Sequence, residues 1–315
     1  MMNDPLSFHP LAMDRVWGGR RLESLPGKSL PPDVPIGELW ELVDREEAQS
    51  LVSGGAWDGL SLHDLWTVHR EEVFGKDYLR APSARFPLLI KLLDASDKLS
   101  VQVHPPIHKA TDLGGEPKTE VWYFLDSLPE ANIYAGLKRG VTRAEFESLL
   151  ETGGVEKTLH DIPVRTGESI FIPSGRLHAI GAGNLIIEVQ QNSDTTYRVF
   201  DWNRLGLDGK PRALHIKESM ASIDFEDFEP AVKSASEKLV ADCPFFHIEK
   251  LTLTDPSDVR PPHRFALVVS TDHPVCCHGR TFGKGDFFIV PASSTEGLVS
   301  STAEAATVLV TTLPV

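Results

Sequence analysis

Short runs of apolar residues, bounded by turn-forming residues, are the main pattern along this chain. They cover residues 86–93, 121–125, 169–173, 185–190, 264–269 and 286–291. Glycine (24) and proline (23) are spread throughout, and long stretches with helical periodicity are scarce. Such runs predict strands joined by turns, a pattern typical of a sandwich or jelly roll. We therefore expect a mainly β fold.

Two helices are predicted within this β pattern. Thr142 and Glu145 have the spacing of a capping box, Phe146 begins an apolar stripe after them, and two glycines at 153–154 end it. A second helix is predicted within residues 61–73. The helical content is thus a small segment rather than a domain.

One internal repeat predicts the domain organisation. The sequence Gly-Glu-Ser-Ile-Phe-Ile-Pro-Ser-Gly at 167–175 recurs as Gly-Asp-Phe-Phe-Ile-Val-Pro-Ala-Ser at 285–293. His178 follows eleven residues after the first glycine, whereas Glu296 takes that place in the second copy. We interpret this as two jelly-roll barrels, with the boundary within 225–241; the alternative is a chance match of a common turn.

In this interpretation the first domain, residues 1–230, carries the functional site and a small helical insertion at about 140–155. The second, residues 231–315, is a degenerate barrel with a structural role.

Composition restricts the class of partner and the compartment. The chain has 315 residues and a net charge of −14, which argues against nucleic acid or an anionic membrane surface as a partner. No apolar run approaches the roughly 20 residues of a membrane span. Three cysteines make no disulfide framework, and residues 1–5 do not resemble a secretory signal. We expect a cytoplasmic protein; its oligomeric state does not follow from the sequence.

Four residues have the chemistry and spacing of a metal site. Gln102 and His104 are two apart, so on a strand both leave the same face. Glu120 comes from a later apolar run, and His178 ends a Gly-x5-Pro-x-Gly-x2-His motif. A lone histidine is more often a structural residue, but the set fits zinc, or a similar first-row divalent ion, in a catalytic site.

Charged residues are interleaved with these ligands. Lys91 and Glu188 stand inside apolar runs, Lys118 lies two residues before Glu120, and Arg198 offers a planar fork for oxyanions. Ser100 shares the parity of Gln102. Glu188 is either a base whose pKa is raised by burial or half of a structural ion pair, and Lys118 is either a site residue or a solvated lysine.

These motifs resemble a known family. The Gly-x5-Pro-x-Gly-x2-His run is similar to a cupin motif, and the fuller pattern resembles type I mannose-6-phosphate isomerase in its short bacterial form. The similarity extends over 16–19, 36–41, 89–95, 99–105, 117–123, 177–181 and 188–202. It implies two cupin-type barrels, one zinc ion per chain held by His104, Glu120 and His178 with Gln102 as a fourth ligand, and Arg198 as a catalytic residue. It also places Lys118, Glu188, Lys91 and Ser100 in the same pocket.

The resemblance implies an activity: interconversion of mannose 6-phosphate and fructose 6-phosphate through a cis-enediol. We assign Arg198, Lys118 and Glu188 to catalysis, and Ser100 and Lys91 to binding the sugar phosphate. Two alternatives stay open at this point. One is a sugar-binding or regulatory cupin without turnover, and the other is a different metal-dependent cupin enzyme.

Overall fold

The computed structural model describes residues 4–315, and most of its regular structure is strand. The prediction that the chain lacks a secretory signal rests partly on Met1 to Asn3, and these lie outside the described residues. The first thirteen strands are β1 Ser7–Phe8, β2 Leu11–Gly19, β3 Ile36–Leu42, β4 Val52–Ser53, β5 Leu88–Ala95, β6 Val101–Val103, β7 Glu120–Ser127, β8 Asn132–Leu137, β9 Leu159–Pro163, β10 Ser169–Ile172, β11 His178–Ile180, β12 Asn184–Gln191 and β13 Tyr197–Phe200.

The remaining strands begin at Leu239. They are β14 Leu239–Asp242, β15 His247–Leu253, β16 Ser257–Asp258, β17 Ala266–Ser270, β18 Val275–Cys277, β19 Arg280–Phe282, β20 Phe287–Val290, β21 Leu298–Ser301 and β22 Ala306–Thr312. The α-helices are short: α1 Leu62–Thr67, α2 Arg70–Val73, α3 Ile107–Ala110, α4 Arg143–Glu151 and α5 Ile216–Ser222. Single 3₁₀ turns lie at Arg21–Ser24, Gly55–Trp57, Lys76–Tyr78 and Val155–Thr158. No helix within residues 4–315 is both long enough and apolar enough to span a bilayer.

Two antiparallel sheets form the first barrel. One has the strand order β10-β7-β12-β5-β3-β2 and the other β13-β6-β11-β8-β9. Their inner faces share a core in which Trp122 and Ile170 of the first sheet join Ile133 and Ile180 of the second. Facing sheets with this shared interior form a jelly roll, and the candidate site residues lie between them.

The later strands repeat this arrangement. One sheet has the order β14-β15-β22-β17-β20 and the other β16-β21-β18-β19. Their interior is apolar throughout, with Phe282 stacked on Phe288 at a centroid distance of 3.9 Å and surrounded by valines. Among the described residues from 239 onward, no Asp, Glu, Lys, Arg or His side chain is buried.

A third core joins the two barrels. It combines Ile90 and Leu92 of the six-stranded sheet with Leu267 and Leu309 of the later five-stranded sheet, and Trp66 of α1 packs into it. Both faces of these sheets are therefore buried, which explains why their strands appear in the sequence as nearly continuous apolar runs.

The fold class is confirmed: a mainly β chain with two jelly-roll barrels and little helix. All six apolar runs became strands. Thr142 caps α4, its side chain accepting from the amide of Glu145, but among the described residues the Glu145 side chain forms no return bond, so the predicted capping box is only half formed. Ser61 also starts a helix, but His69, at φ −112° and ψ 26°, leaves the helical region and divides the predicted 61–73 helix into α1 and α2. Helices α3 and α5 were not predicted, and the division into domains 1–230 and 231–315 stays a prediction.

Candidate metal centre and substrate cavity

Three neighbouring strands place the candidate residues in one row. His178 of β11 is the cross-strand partner of Gln102 on β6, and Gln102 is in turn the partner of Arg198 on β13. His104 follows β6 directly. Glu120 begins β7 in the facing sheet, so the two sheets bring their polar residues together across the barrel interior.

His104, Glu120 and His178 form a compact buried cluster. Their nitrogen and oxygen ligand atoms all lie within 4.8 Å of one another, and no other such group of three or more occurs in residues 4–315. Nε2 of His104 is 3.6 Å from one oxygen of Glu120, and Nε2 of His178 is 3.6 Å from the other. The carboxylate therefore lies between two imidazoles that approach it from different directions.

Backbone carbonyl groups orient both rings. Nδ1 of His104 donates to the carbonyl oxygen of Thr195 at 2.8 Å, and Nδ1 of His178 donates to that of Arg176 at 2.9 Å. These bonds leave both Nε2 atoms unprotonated and facing Glu120. Hydrogen bonds of this kind, made by the ring nitrogen that does not bind metal, hold metal-binding histidines in place.

The cluster is suited to a cation because three of its buried ligand atoms form no hydrogen bond in the described chain, although Lys118 forms an ion pair with one oxygen of Glu120. Nε2 of His104 and both oxygens of Glu120 are buried and without a hydrogen bond among residues 4–315. Burial lowers the pKa of His104, and burial with the neighbouring His104 lowers that of His178 to about 3, so both rings are neutral. Burial alone would raise the pKa of Glu120, but Lys118 and His104 bring it well below its usual range. Two neutral imidazoles and a carboxylate are the donor set of a catalytic divalent site.

Gln102 adjoins this cluster in a different orientation. Its Nε2 donates to Nε2 of His178 at 3.2 Å, and its Oε1 lies 3.4 Å from the hydroxyl of Ser100. The amide nitrogen, not the oxygen, faces the cluster. A half-turn of the amide exchanges the two atoms and offers Oε1 as a ligand.

A row of alternating charges continues from the cluster along the six-stranded sheet. Nζ of Lys118 lies 3.0 Å from Glu120 and 3.6 Å from Glu188, and Nζ of Lys91 lies 3.3 Å from Glu188. Lys91, Glu188 and Trp122 are cross-strand neighbours on three adjacent strands. Lys118, Lys91 and Glu188 are all buried. The structure thus brings together every charged residue that the sequence predicted for the pocket.

Burial and charge act oppositely on the two central groups. Burial would lower the pKa of Lys118, but the carboxylates of Glu120 and Glu188 raise it above its usual value, so the lysine stays cationic. Burial raises the pKa of Glu188, and this effect exceeds the opposing attraction of Lys118. A permanent cation beside a carboxyl group of raised pKa is an arrangement suited to proton transfer.

Arg198 is the cation without an acidic partner. Its Nε donates to Ser100 at 3.3 Å and one terminal nitrogen donates to the carbonyl of Ala213 at 2.9 Å, but it forms no ion pair within the described part of the chain. Burial, with the nearby Arg212, lowers its pKa. A partly buried guanidinium that forms no ion pair is suited to binding an anionic ligand.

These side chains line a cavity of about 420 Å³ next to the metal cluster. Of the predicted residues, Lys91, Ser100, Gln102, Lys118, Glu188 and Arg198 line its wall. Sequence reasoning missed several others, which are Arg15, Trp17, Glu38, Trp122, Asp194, Thr196 and Arg212. All of these except Arg15 and Arg212 lie within the motifs that carry the family resemblance. A carboxylate in the apolar 36–42 segment was a usable signal for Glu38.

Comparison with known proteins identifies the family of the chain. A family model for the catalytic domain of type I phosphomannose isomerase matches residues 7–127. The chain is 34% identical to mannose-6-phosphate isomerase ManA of Bacillus subtilis, over 92% of this chain and 94% of that protein. It is 40% identical to mannose-6-phosphate isomerase of Streptococcus mutans, over 70% of this chain and 67% of that protein.

The fold agrees as well. The crystal structure of mannose 6-phosphate isomerase from Bacillus subtilis superimposes with a TM-score of 0.85 at 30% identity, covering 98% of this chain and 100% of that one. The chain therefore belongs to the type I mannose-6-phosphate isomerase family.

Proposed function

We propose that this isomerase interconverts mannose 6-phosphate and fructose 6-phosphate, using the His104–Glu120–His178 cluster and the cavity beside it. The observation that carries the proposal is the pairing of two features. Three buried ligand atoms lack hydrogen bonds, and the adjoining cavity contains a buried Lys118–Glu188 pair and the unpaired cation Arg198. An aldose–ketose isomerase needs both features, since charge develops on two oxygens while a proton moves between neighbouring carbons.

The metal proposed for this site is zinc or another first-row divalent ion, one per chain. His104, Glu120 and His178 would hold it, and Gln102 would add Oε1 once its amide turns. When bound, such an ion polarises a carbonyl oxygen and stabilises negative charge on it. Burial keeps both imidazoles in the neutral form that binding requires, and the two imidazole–carbonyl bonds leave Nε2 of each ring free to bind.

Glu188 is the proposed base. It would take the proton from C2 of the open-chain aldose, leaving a cis-enediolate with its negative charge on O1. A proton would then pass from O2 to O1 through the cis-enediol, and Glu188 would return its proton to C1 to give the ketose. Its raised pKa favours this role because the carboxylate must accept and then release a proton. Lys118 stays protonated beside it and would stabilise the charge on O1 and O2.

Arg198 is proposed to meet the negative charge of the substrate, whether on the phosphate or on the enediolate. It has no acidic partner in the described residues, so an anion entering the cavity displaces no existing ion pair. Ser100, which accepts from Arg198, would donate its hydroxyl proton to the same anion. Lys91 would contribute positive charge from the opposite wall, although Glu188 already partners it.

The second barrel is proposed to be structural, with the domain boundary near residue 230. Its apolar interior and the core that joins it to the first barrel support this role. A cytoplasmic location is proposed from the cysteine pattern.

Conversion of mannose 6-phosphate into fructose 6-phosphate by the purified chain, measured by NMR with and without a chelator, tests the function. We expect turnover that stops on metal removal and returns on adding zinc. Binding of the sugar phosphate without conversion, in protein that carries one metal ion, would contradict the proposal and favour a regulatory cupin.

A further inference from the structure

Glu38 of β3 is a buried carboxylate in the wall of the same cavity, and neither the sequence motifs nor the proposed chemistry gives it a role. It is 8% exposed. On β3 it faces the interior together with Trp40, whereas Glu41 faces the other way and pairs with Lys28 at 2.8 Å. Burying a charge in a barrel interior costs free energy unless the charge is paired, so the hydrogen-bond partners of Glu38 indicate its role.

Only one of its two oxygens has protein partners. Oε2 accepts from the indole nitrogen of Trp40 at 2.8 Å and from the guanidinium of Arg15 at 2.8 Å. Oε1 has no hydrogen-bond partner among residues 4–315. Lys91 does not supply one, because its Nζ pairs with Glu188 at 3.3 Å and forms no ion pair with Glu38. The carboxylate is therefore fixed through one oxygen and retains acceptor capacity on the other.

An irregular strand places Arg15 over this carboxylate. Both Asp14 and Gly19 of β2 pair with Ile36, so the residues between them bulge out of the sheet. Gly37 leaves room for that bulge, since a Cβ there would lie 2.5 Å from the Cβ of Arg15. The bulge therefore carries Arg15 to the cavity wall, where its guanidinium meets Glu38.

The charge of Glu38 is also secured. Burial would raise its pKa, but Lys91 and Arg15 lower it to about 2. The group is thus ionised at any pH at which a sugar phosphate is handled. Across the same sheet, the buried indole N–H of Trp122, which also lines the cavity, has no acceptor among the described residues. The wall accordingly contains an acceptor and a donor without partners, as suits a ligand rich in hydroxyl groups.

We propose that Glu38 is a specificity-determining residue whose free carboxylate oxygen accepts a hydrogen bond from a hydroxyl group on C3, C4 or C5 of the open-chain sugar phosphate. The inference rests on the proposed function, because it takes the sugar phosphate as the occupant of the cavity. Arg15 is a positioning residue: it acts by holding Oε2 and does not meet the substrate itself.

The variant Glu38→Gln tests this sharply. Trp40 and Arg15 both donate to the Oε2 position, so the amide oxygen must take that place and the NH₂ group must take the other. The substitution therefore replaces an acceptor with a donor at the free position while keeping size and shape. We expect kcat/KM for fructose 6-phosphate to fall by about 10- to 100-fold, the range for loss of a charge-assisted hydrogen bond.

The deciding measurement repeats the assay with 3-deoxy, 4-deoxy and 5-deoxy fructose 6-phosphate. For the analogue that lacks the recognised hydroxyl, wild type and Glu38→Gln should differ by less than about threefold, since the interaction is absent in both. A Glu38→Gln effect of the same size on the parent and all three analogues would overturn the inference, as would no effect on any of them.

Glu41→Gln is the matched control, because it makes the same change on the same strand outside the cavity. It should leave the preference among the four substrates unchanged. If Glu38→Gln does not fold, Arg15→Met replaces it in the test, since Arg15 is partly exposed. The kcat/KM values of wild type and Arg15→Met should again agree on one analogue, and the fall on the parent substrate should be smaller than for Glu38→Gln. Failure of the wild type to convert mannose 6-phosphate would instead contradict the proposed function, before any variant is compared.

Discussion

The two barrels repeat one strand framework with opposite interiors. In each, a glycine at positive φ (Gly167 at 88°, Gly285 at 81°) and an acidic residue precede an edge strand, β10 or β20. The sheet orders β10-β7-β12-β5 and β20-β17-β22-β15 then correspond strand by strand. This agreement supports the interpretation of the sequence repeat as a structural one.

Strand register extends the correspondence to single residues. Ile172 of β10 pairs with Glu120, and its equivalent Val290 pairs with Ala266. Trp122, the partner of Glu188, is likewise equivalent to Val268, the partner of Val310. The proposed metal ligand of the first barrel thus corresponds to alanine in the second, and the proposed base corresponds to valine.

The turn after the edge strand differs in the same way. In the first barrel it leads to His178, buried at the start of β11, whereas Glu296 of the second lies in an exposed loop before β21. The jelly roll therefore tolerates either a charged or an apolar interior. Charges confined between sheets in one barrel carry the proposed chemistry, and the apolar interior of the other provides stability without it.

The largest effect is expected when the first barrel is given the residue of the second. Glu120→Ala removes the carboxylate between the two histidines, so metal binding should fail and kcat/KM should fall by about a thousandfold or more. Metal content by elemental analysis and the isomerase assay measure this. A variant that keeps one metal ion per chain and most of its activity would show that Glu120 is not a ligand.

The reciprocal change should damage stability instead. Ala266→Glu places an unpaired carboxylate among Val268 and Phe288, and we expect the free energy of unfolding to fall by about 3–5 kcal/mol. Chemical denaturation measures the loss, and the protein that remains folded should keep its kcat. A variant as stable as wild type would mean that the second interior accepts charge as readily as the first.

A third change addresses the base. Glu188→Gln should lower kcat by about 10²- to 10⁴-fold while metal content is retained. In wild type, activity should fall as the pH drops through the raised pKa of Glu188, because the protonated group cannot act as a base. The variant should lack that acidic decline. If it shows the wild-type pH profile, another group is the base.

The smallest effect concerns the helix that only the first barrel carries. Thr142→Ala removes the cap of α4 and should lower the free energy of unfolding by about 1 kcal/mol. Because α4 contributes no residue to the cavity, kcat/KM should be unchanged. A change in kcat/KM would connect this insertion to the site.

The strands, the repeat and the candidate metal ligands could be predicted from the residues alone. Apolar runs with period-two parity specify which residues share a face, so Gln102 and His104 were predictable as a pair. The turn motif that ends at His178 was specific enough to identify this histidine as a candidate metal ligand. Lys91 and Glu188 were predictable because a charge within an apolar strand requires a partner.

The other residues of the cavity wall could be identified only from the folded structure. Parity puts Glu38 and Glu41 of β3 on opposite faces, but it does not tell which face is the barrel interior. Arg15 reaches Glu38 through a bulge that depends on Ile36 pairing twice and on the missing side chain of Gly37. The orientation of Gln102 depends on His178, which lies 76 residues away. Long-range packing sets these contacts, and the local sequence pattern therefore does not predict them.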